Sequence, residues 1–464
     1  MISGCKRILG ASLLVLSGLP SVADTLTDAM RLAYETNPTL ILNRAALRAT
    51  DENVALARSG RRPQITLQAN GTITNDALLQ NNASEEISAL LNASLNLYDG
   101  GRSRDAVEAA KTAVLAARES LKNIEQSVML SAAQAFLTVR RDQQIVTLAR
   151  NNLDVLKQQL QAAEDRLAVG ASTRTDVSQT RARLAAAQAV LAANRGALAI
   201  SSENYIAVVG TAPVHLAYPP RLPELPGSLA SAEEIALRTH PLMKASHLSE
   251  KVAAIDLRRA RNARLPSLSA NASIRLSETH AENFLGDFAT SQRGTSQFGL
   301  NLTQPLYTGG ALSASVRQAG ATLERRMAET ANTRLQLRQQ VSAAWFQLQI
   351  ARASIAATRL QIEAAQYAFE GITEEANLGA RTILDTLNAK QEVLTAQNSL
   401  IKAMHDERIA AYSLLAAMGL LTPDNLDLGI ELYDPTENFN RVQNAPIRTF
   451  EAGKILDNIA DRWQ

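Results

Sequence analysis

The sequence has almost no cysteine and few aromatic residues or prolines. Cys5 is the single cysteine among 464 residues, aromatic residues make up 4%, and there are 14 prolines. Because Cys5 lies in the N-terminal leader described below, we expect neither disulfide bonds nor thiol chemistry in the mature chain. Few aromatic residues, few prolines and abundant alanine favour long, closely packed helices.

An excess of charge of one sign is also lacking. The chain has 47 basic and 45 acidic residues, a formal net charge of +2, and no basic tract. This balance excludes the electrostatic footprint of a nucleic-acid-binding protein. A hydrophobic content of 46% excludes wholesale disorder, because such a chain can bury a core.

Motifs that carry chemistry are missing as well. The sequence contains no glycine-rich phosphate loop, no Gly-x-Ser-x-Gly elbow and no histidine cluster with metal-ligand spacing. No set of nucleophile, base and orienting group can be assembled. We therefore expect neither an enzyme, nor a cofactor, nor a metal site.

The one long hydrophobic run lies at the N-terminus. Lys6 and Arg7 precede an apolar run from Ile8 to Leu19, and Ser21-Val22-Ala23 forms a small-x-small cleavage site. The run is shorter than the ~20 residues that a membrane-spanning helix needs. We interpret residues 1–23 as a signal peptide, so the mature protein is either soluble in the periplasm or a β-barrel in the outer membrane.

The chain contains an internal repeat. Asn37-Pro38 recurs as His240-Pro241 at an offset of 203 residues, and Gly170 recurs as Gly379 at an offset of 209. The predicted divisions are a signal peptide at 1–23, a first copy at 24–210, a proline-rich linker at 211–228, a second copy at 229–419 and a polar tail at 420–464. Prolines exclude a helix in the linker.

Each copy has two segments in which apolar and uncharged polar residues alternate. The pattern predicts strands at about 63–74, 87–98, 266–277 and 297–307. Such segments of ~10 residues are typical of transmembrane β-strands, although a soluble sandwich with one wet face gives the same alternation. Four strands cannot close a barrel, since about eight are needed. A membrane location therefore requires an oligomer, and two, three or four chains would supply eight, twelve or sixteen strands.

A proline-free segment of 67 residues follows each strand pair, at 102–168 and 311–377. As a helix, each would be about 100 Å long at ~1.5 Å per residue. An apolar residue recurs at every seventh position from Ala132 to Leu167 and from Val341 to Ala376, which predicts coiled-coil packing. A second apolar seam starts at Val107, and two seams on one helix favour a closed ring of helices.

A glycine follows each long helical segment. Gly170 and Gly379 stand where a C′ glycine ends a helix, and another helix begins within a few residues. We predict that Gly170 with Ala171, and Gly379 with Ala380, form the tip of a helical hairpin and, by the family resemblance described next, the periplasmic site at which an adaptor docks. An ordinary helical hairpin turn without a partner is the alternative.

This arrangement resembles the TolC family of outer-membrane efflux and type I secretion channels. The resemblance rests on the tandem repeat, on strand pairs ending in Tyr-x-Gly-Gly, and on two local motifs, Val169-Gly170 through Val177 and Leu378 through Asp385. It covers nearly the whole mature chain and implies a mainly α fold with a β-barrel part. Three protomers would form a 12-stranded outer-membrane barrel, continued by a 12-helix coiled-coil tunnel through the periplasm.

The resemblance implies a passive, porin-like exit duct. It would conduct toxic compounds or secreted polypeptide from an inner-membrane pump of the RND or ABC type, through a periplasmic adaptor, to the outside. A periplasmic coiled-coil adaptor or chaperone without a barrel is the alternative. That alternative retains the helical hairpins but should lack four strands suited to lipid.

The resemblance also implies roles for residues near the tip. Three copies of Asp385 would form a carboxylate ring at the pore constriction, and Asn388 replaces a second acidic position of the family. Arg381, Asp176 and Thr175 would make the contacts that hold the entrance shut, with Arg381 paired to Asp176. We expect a single ring and a weaker cation block than in a pore with two rings.

Helix capping is the structural alternative for both aspartates. Thr173-x-x-Asp176 and Thr382-x-x-Asp385 both match variants of the capping box. An aspartate at this position stabilises a helix through the macrodipole, typically by ~0.3–1 kcal/mol.

Overall fold

A computed structural model describes residues 25–76, 82–170, 172–214, 216–219, 222, 224–282, 288–426 and 428–443. The predicted signal peptide and Ala171 lie outside the described residues, as does the tail beyond 443. The described residues form two compact units, 25–33 with 132–219, and 34–131 with 222–443. These limits differ from those of the repeats because one long helix contributes residues to both units.

Helices and strands follow the same order in both copies. The first copy contains α1 (Leu26–Thr36), α2 (Pro38–Ser59), β1 (Gln64–Asp76), β2 (Asn82–Tyr98), α3 (Arg102–Ala168) and α4 (Arg174–Val209). The second contains α5 (Leu229–Thr239), α6 (Pro241–Asn262), β3 (Ser267–Glu282), β4 (Phe288–Thr303), α7 (Ala311–Asn377) and α8 (Ile383–Ala417), followed by α9 (Pro435–Gln443). The two 67-residue helices begin and end where the sequence predicts them.

The four strands form one antiparallel sheet in the order β1-β2-β3-β4. Three strands differ from the expectation: β2 begins at 82 rather than 87, β3 ends at 282 rather than 277, and β4 spans 288–303 rather than 297–307. Antiparallel backbone pairing continues towards each hairpin beyond the alternating pattern. The other end of β4 stops before Pro305, which has no N–H to donate to a ladder.

α2 and α6 begin with equivalent but chemically different caps. Asn37 Oδ1 accepts a hydrogen bond from Thr39 N at 2.9 Å, and His240 Nδ1 accepts one from Leu242 N at 3.1 Å. A proline occupies the first helical position in both, where a missing N–H costs nothing. His240 is buried, and burial lowers its pKa to about 4. Only the second copy therefore has a cap that titrates.

The core lies between helices and leaves the sheet largely exposed. In the unit formed by 25–33 and 132–219, Phe136 and Tyr205 are the largest fully buried side chains. In the other unit, Leu348, Leu414 and Met418 are among the largest. Buried apolar residues on helices thus stabilise each unit, while the sheet contributes little to either core.

The expectation that the N-terminus holds the one long hydrophobic run is wrong, because α4 is a second long apolar segment. Among the described helices, it alone is long and apolar enough to cross a membrane by length and composition, with a mean hydropathy of 1.2 over its best 18 residues. Many alanines, rather than large apolar side chains, produce this value. Only 17% of that window is buried, so α4 presents small apolar side chains at its surface.

Candidate functional site

One face of the sheet is apolar and exposed to solvent in the single chain. Its large side chains are 42–75% exposed and comprise Ile65, Leu67, Ile73, Ile87, Leu91, Leu97, Ile274, Leu276, Phe298, Leu300 and Leu302. Leaving apolar surface in water costs roughly 25 cal/mol per Å². A patch of this size marks a surface that lipid or another protein covers.

The apolar residues form a band that crosses the four strands obliquely. Towards the hairpins, the band ends at Ile73 on β1, Ile87 on β2, Leu276 on β3 and Phe298 on β4. In the pairing register, each of these ends lies two to four residues closer to the helices than the end on the preceding strand. Strands that cross a bilayer at a tilt of about 35–45° produce such an oblique band.

The opposite face of the sheet is polar and continues into a concave surface. Most of its side chains are serine, threonine, asparagine or glutamine, and Arg275 Nη2 pairs with Glu86 Oε1 at 2.8 Å. Near the helices, Asn96, Ser267 and Ser269 from this face help to line a cavity of about 840 Å³. The polar face of the sheet therefore borders this cavity, and the apolar face is the one exposed to solvent in the single chain.

Both predicted aspartates occupy capping boxes of the same geometry. Asp176 Oδ2 accepts a hydrogen bond from Thr173 N at 3.0 Å, and Thr173 Oγ1 accepts one from Asp176 N at 3.1 Å. The corresponding distances for Asp385 and Thr382 are 3.0 and 3.2 Å. The hydrogen bond from the threonine N–H is the main cause that lowers the pKa of each aspartate. Both carboxylates are therefore charged at neutral pH, whether or not they also line a pore.

Arg381 has a partner that sequence reasoning missed. Its Nε lies 2.7 Å from Glu375 Oε2, across the turn that joins α7 to α8. The predicted partner Asp176 belongs to the other compact unit, and its pairing with Arg381 stays a prediction. An acid six residues before an arginine, with a glycine between them, is the signal that could have indicated this pair. Thr175 is exposed in the first turn of α4.

Asn388 lies one helical turn after Asp385. Its side chain is exposed, and that of Asp385 is partly exposed. The α8 geometry therefore places both side chains on neighbouring turns of the same helix side. A ring formed by Asp385 would have an uncharged amide beside it.

The turns at the two tips carry exposed hydrophobic side chains. Gly170 and Gly379 adopt φ values of +76° and +81°, which favour glycine over residues with a Cβ. The preceding residues, Val169 and Leu378, are 79% and 85% exposed. Sequence reasoning named Val169 and Leu378 only as parts of the two family motifs and did not predict their exposure, although they occupy equivalent positions in the two copies. Ala380 is also exposed.

A buried polar cluster lies where the C-terminal segment meets the helices. Tyr34 donates its hydroxyl hydrogen to Glu125 Oε1 at 3.3 Å and accepts a hydrogen bond from Tyr433 N at 3.1 Å. The guanidinium of Arg44 lies 4.5 and 5.1 Å from the centroids of the Tyr34 and Tyr433 rings. Burial raises the pKa of Glu125. The cluster borders a cavity of about 540 Å³ and anchors the segment that follows α8.

Known proteins share this sequence and this fold. Residues 29–211 and 234–420 match the family model described as outer membrane efflux protein. The chain is 37% identical over 444 residues to the outer membrane efflux protein BepC of Brucella suis biovar 1, covering 95% of the chain and 96% of that protein. It is 26% identical over 471 residues to the outer membrane protein TolC of Escherichia coli K12, covering 98% and 93%.

A solved structure of CusC, described in terms of folding and transmembrane channel formation, shares the fold. It aligns with a TM-score of 0.74 at 19% identity, covering 86% of this chain and 92% of that one.

Proposed function

We propose that three copies of this chain, which belongs to the outer membrane efflux protein family, form one continuous exit duct. Members of this family are outer-membrane channels and not enzymes, so the chain is an outer-membrane exit channel. In the proposed homotrimer, four strands from each chain form a 12-stranded barrel. Helices α3, α4, α7 and α8 of each chain form a 12-helix tunnel through the periplasm.

The exposed apolar face of the open sheet is the observation that carries this proposal. β1 and β4 each have a partner strand on one side only within the described sheet. In hydrocarbon, each unpaired backbone group would cost several kcal/mol, so an open sheet cannot sit in a bilayer. Pairing β4 of one chain with β1 of the next removes these edges. The oblique apolar band then surrounds the barrel at the level of the lipid.

The helices support the same assembly. α7 exposes large apolar side chains along its length, including Leu335, Phe346, Ile350, Leu360 and Tyr367. A neighbouring chain packed against this side would bury them and provide the second seam of a closed ring. A periplasmic adaptor or chaperone would leave the four strands and their exposed apolar face without a role.

At the periplasmic end, Asp385 forms the proposed pore constriction, with Asn388 one turn away. Arg381, Asp176 and Thr175 hold the proposed entrance shut. Capping does not exclude these roles, since a capping carboxylate that stays partly exposed and charged can still attract cations.

The tips are the proposed docking site for a periplasmic adaptor. The exposed Val169 and Leu378 extend the predicted site at Gly170, Ala171, Gly379 and Ala380, and they support it because lone hydrophobic tips are suited to insertion into an apolar groove. Through the adaptor, an inner-membrane pump of the RND or ABC type would deliver the cargo.

The cargo is the least specified part of the proposal. The name of BepC, an outer membrane efflux protein, favours efflux, for which we propose toxic compounds as the cargo, and secreted polypeptide is the alternative. Deletion of the gene should raise susceptibility to toxic compounds in the first case. In the second, it should remove proteins from the secreted fraction.

Cross-linking of the detergent-solubilised protein tests the assembly. We expect the cross-linked ladder to stop at three chains, the number that the family resemblance implies, because a closed barrel has no sheet edge left to pair with a further chain. A discrete dimer or tetramer would contradict the trimer. Extraction of the mature protein into buffer without detergent would contradict the membrane barrel itself.

A further inference from the structure

Helix α6 contacts the first turns of α3 through charged and polar side chains. Arg258 Nη2 lies 2.8 Å from Asp105 Oδ1 and also pairs with Glu108. Asn262 Nδ2 donates a hydrogen bond to Asp105 Oδ2 at 2.9 Å, and Asp105 is buried at this contact. Because α6 leads into β3 and α3 follows β2, the two helices run antiparallel from the same end of the sheet. We call this contact between the second and the first copy the α6–α3 junction.

The internal repeat predicts a second junction with the copies exchanged, between α2 and α7. α2 is equivalent to α6 at the offset of 203 residues, and α7 is equivalent to α3 at the offset of 209. One face of α6 is buried or partly buried at every position except Arg259 and comprises Ala245, Leu248, Val252, Ile255, Arg259 and Asn262. The equivalent face of α2 is exposed throughout and comprises Leu42, Ala45, Ala49, Glu52, Leu56 and Ser59.

α7 has the other half of the missing contact. On α3, the face at the α6–α3 junction is buried or partly buried at Asp105, Ala109, Thr112 and Ala116. The equivalent residues of α7 are all exposed and comprise Ala314, Gln318, Ala321 and Arg325. The single chain thus has one complete junction and the two uncovered faces of another.

The two uncovered faces carry opposite charges. Glu52 is exposed on α2, and Arg317 is exposed on α7 at the position equivalent to Glu108. Neither Glu52 nor Arg317 forms an ion pair with the side chains that the structure describes. Ile255, the equivalent of Glu52, lies one turn before Arg258 on α6. Since the helices of the α6–α3 junction are antiparallel, that turn faces Glu108 and the turn of α3 that follows it. The same arrangement of α2 and α7 would bring Glu52 close to Arg317.

The remaining charges beside these faces do not oppose that pairing. Arg325 lies 3.8 Å from Glu329 on its own helix. Arg48 and Glu324 border the two faces one to two turns further from the sheet, and their charges are also opposite. The uncovered faces are therefore complementary in charge along several turns.

We infer, building on the trimer proposed above, that α2 of one chain packs against α7 of the next chain and that Glu52 pairs there with Arg317. The occupant of each uncovered face is thus a second copy of this chain. Leu56 and the alanines of the α2 face would bury apolar surface around the ion pair, and the reduced access of water strengthens its attraction. Three α6–α3 junctions within chains and three α2–α7 junctions between chains would then alternate around the duct.

Charge reversal on either side tests the ion pair. Glu52→Arg and Arg317→Glu each place like charges at all three junctions between chains. Each should therefore lower the temperature at which the detergent-solubilised trimer dissociates, measured by chemical cross-linking after a heating step. The combined variant restores opposite charges and should return this temperature to that of the parent protein.

Lys111→Glu is the matched control for charge reversal. It reverses an exposed charge on α3, a helix whose junction lies within its own chain. It should leave the dissociation temperature of the trimer unchanged. A loss of trimer in all three single variants would show that charge reversal acts without regard to the α2–α7 junction, and would refute the ion pair.

A cysteine pair tests which chains the junction joins. Once the predicted signal peptide is removed, the chain contains no cysteine, so an introduced pair has no competitor. Glu52→Cys combined with Arg317→Cys, treated with a short bismaleimide, should give covalently linked trimers, because each chain carries one cysteine at each of its two junctions. Each single variant should give no linked chains, since its cysteine has no partner at the junction.

The outcomes separate this inference from the proposed function. If an amine-reactive reagent gives trimers but the cysteine pair does not link chains, the α2–α7 junction is refuted and the trimer stands. If the pair links chains but the combined charge variant dissociates like the single ones, the ion pair is refuted. If the parent protein itself gives no trimer, the proposed duct and this junction fail together.

Discussion

The two long helices have the same length and the same position in their repeats, yet they bury different surfaces. α3 buries two apolar seams, one from Val107 to Val128 and one from Ala132 to Leu153. α7 buries one seam, centred on Val341 and Leu348. Its other side exposes Met327, Leu335, Phe346, Ile350, Leu360 and Tyr367, each 51–69% exposed.

This difference shows that a duplicated sequence need not have duplicated surroundings. The heptad pattern predicts a contact for each seam and does not say which chain provides the partner. α3 buries both of its seams within its own chain, whereas α7 leaves one apolar side exposed in the single chain. In the proposed trimer, the long helix of the second copy would therefore be the one whose apolar side contacts another chain.

Substitutions on the buried and exposed sides of α7 should give the largest effects, one on the free energy of unfolding and the other on trimer formation. Leu348→Ala removes a side chain that is 1% exposed and should lower the free energy of unfolding by about 2–5 kcal/mol, measured by chemical denaturation. Ile350→Ala removes one that is 61% exposed, and it should leave helix content unchanged while reducing the cross-linked trimer. If Ile350→Ala trimerises like the parent, the exposed side of α7 does not contact another chain.

The caps Asn37 and His240 should give the two copies different pH dependence. The unfolded chain protonates His240 near pH 6.5, whereas the folded chain does so only near pH 4, so unfolding takes up a proton between these values. Stability should fall as the pH drops below about 6.5, by up to about 3 kcal/mol at pH 4. His240→Asn copies the cap of the first copy and should remove this slope from thermal unfolding curves.

His247 provides the matched control for that experiment. It lies on the same helix, α6, and its side chain is 55% exposed. His247→Asn should leave the pH dependence of unfolding unchanged. An equal loss of slope in both variants would show that the effect does not arise from the buried cap.

Asn substitutions at Asp176 and Asp385 distinguish a role in helix capping from a role in the pore. Their capping boxes have the same geometry, so Asn substitution should shift the thermal stability of both variants similarly. In the proposed duct, only Asp385→Asn should lose cation selectivity and block by a trivalent cation in single-channel recordings. Unchanged selectivity in Asp385→Asn would leave capping as its sole role.

The smallest expected effect concerns the ion pair of the second tip. Glu375 holds Arg381, whereas the first copy has Arg166 and Ser172 at the equivalent positions. Glu375→Gln should release Arg381 for its proposed contact with Asp176 and lower the open fraction of single channels. Arg381→Ala should raise it. Shifts in the same direction would show that Glu375 does not compete for Arg381.

The TolC-family resemblance predicted from the sequence is confirmed by the family match and by BepC and TolC. Sequence reasoning located the long helices to the residue because proline-free periodic segments and terminal glycines are local signals. It was less accurate for the limits of β2, β3 and β4, where pairing continues past the alternating residues. It missed the ion pair of Arg381 because charge spacing alone does not select one partner.

Local interactions were determined by the sequence itself, including both capping boxes, the alternation of each strand and the glycine turns at the tips. Each depends on residues a few positions apart, so chain order is enough to specify it. The tertiary structure alone decided which strands pair and in which register. That register aligns the apolar residues into an oblique band and brings Arg275 to Glu86, 189 residues away in the chain. The tertiary structure alone also brought Tyr34 to Tyr433, which is 399 residues away in the chain. Contacts between distant segments depend on how whole elements pack and not on any local pattern.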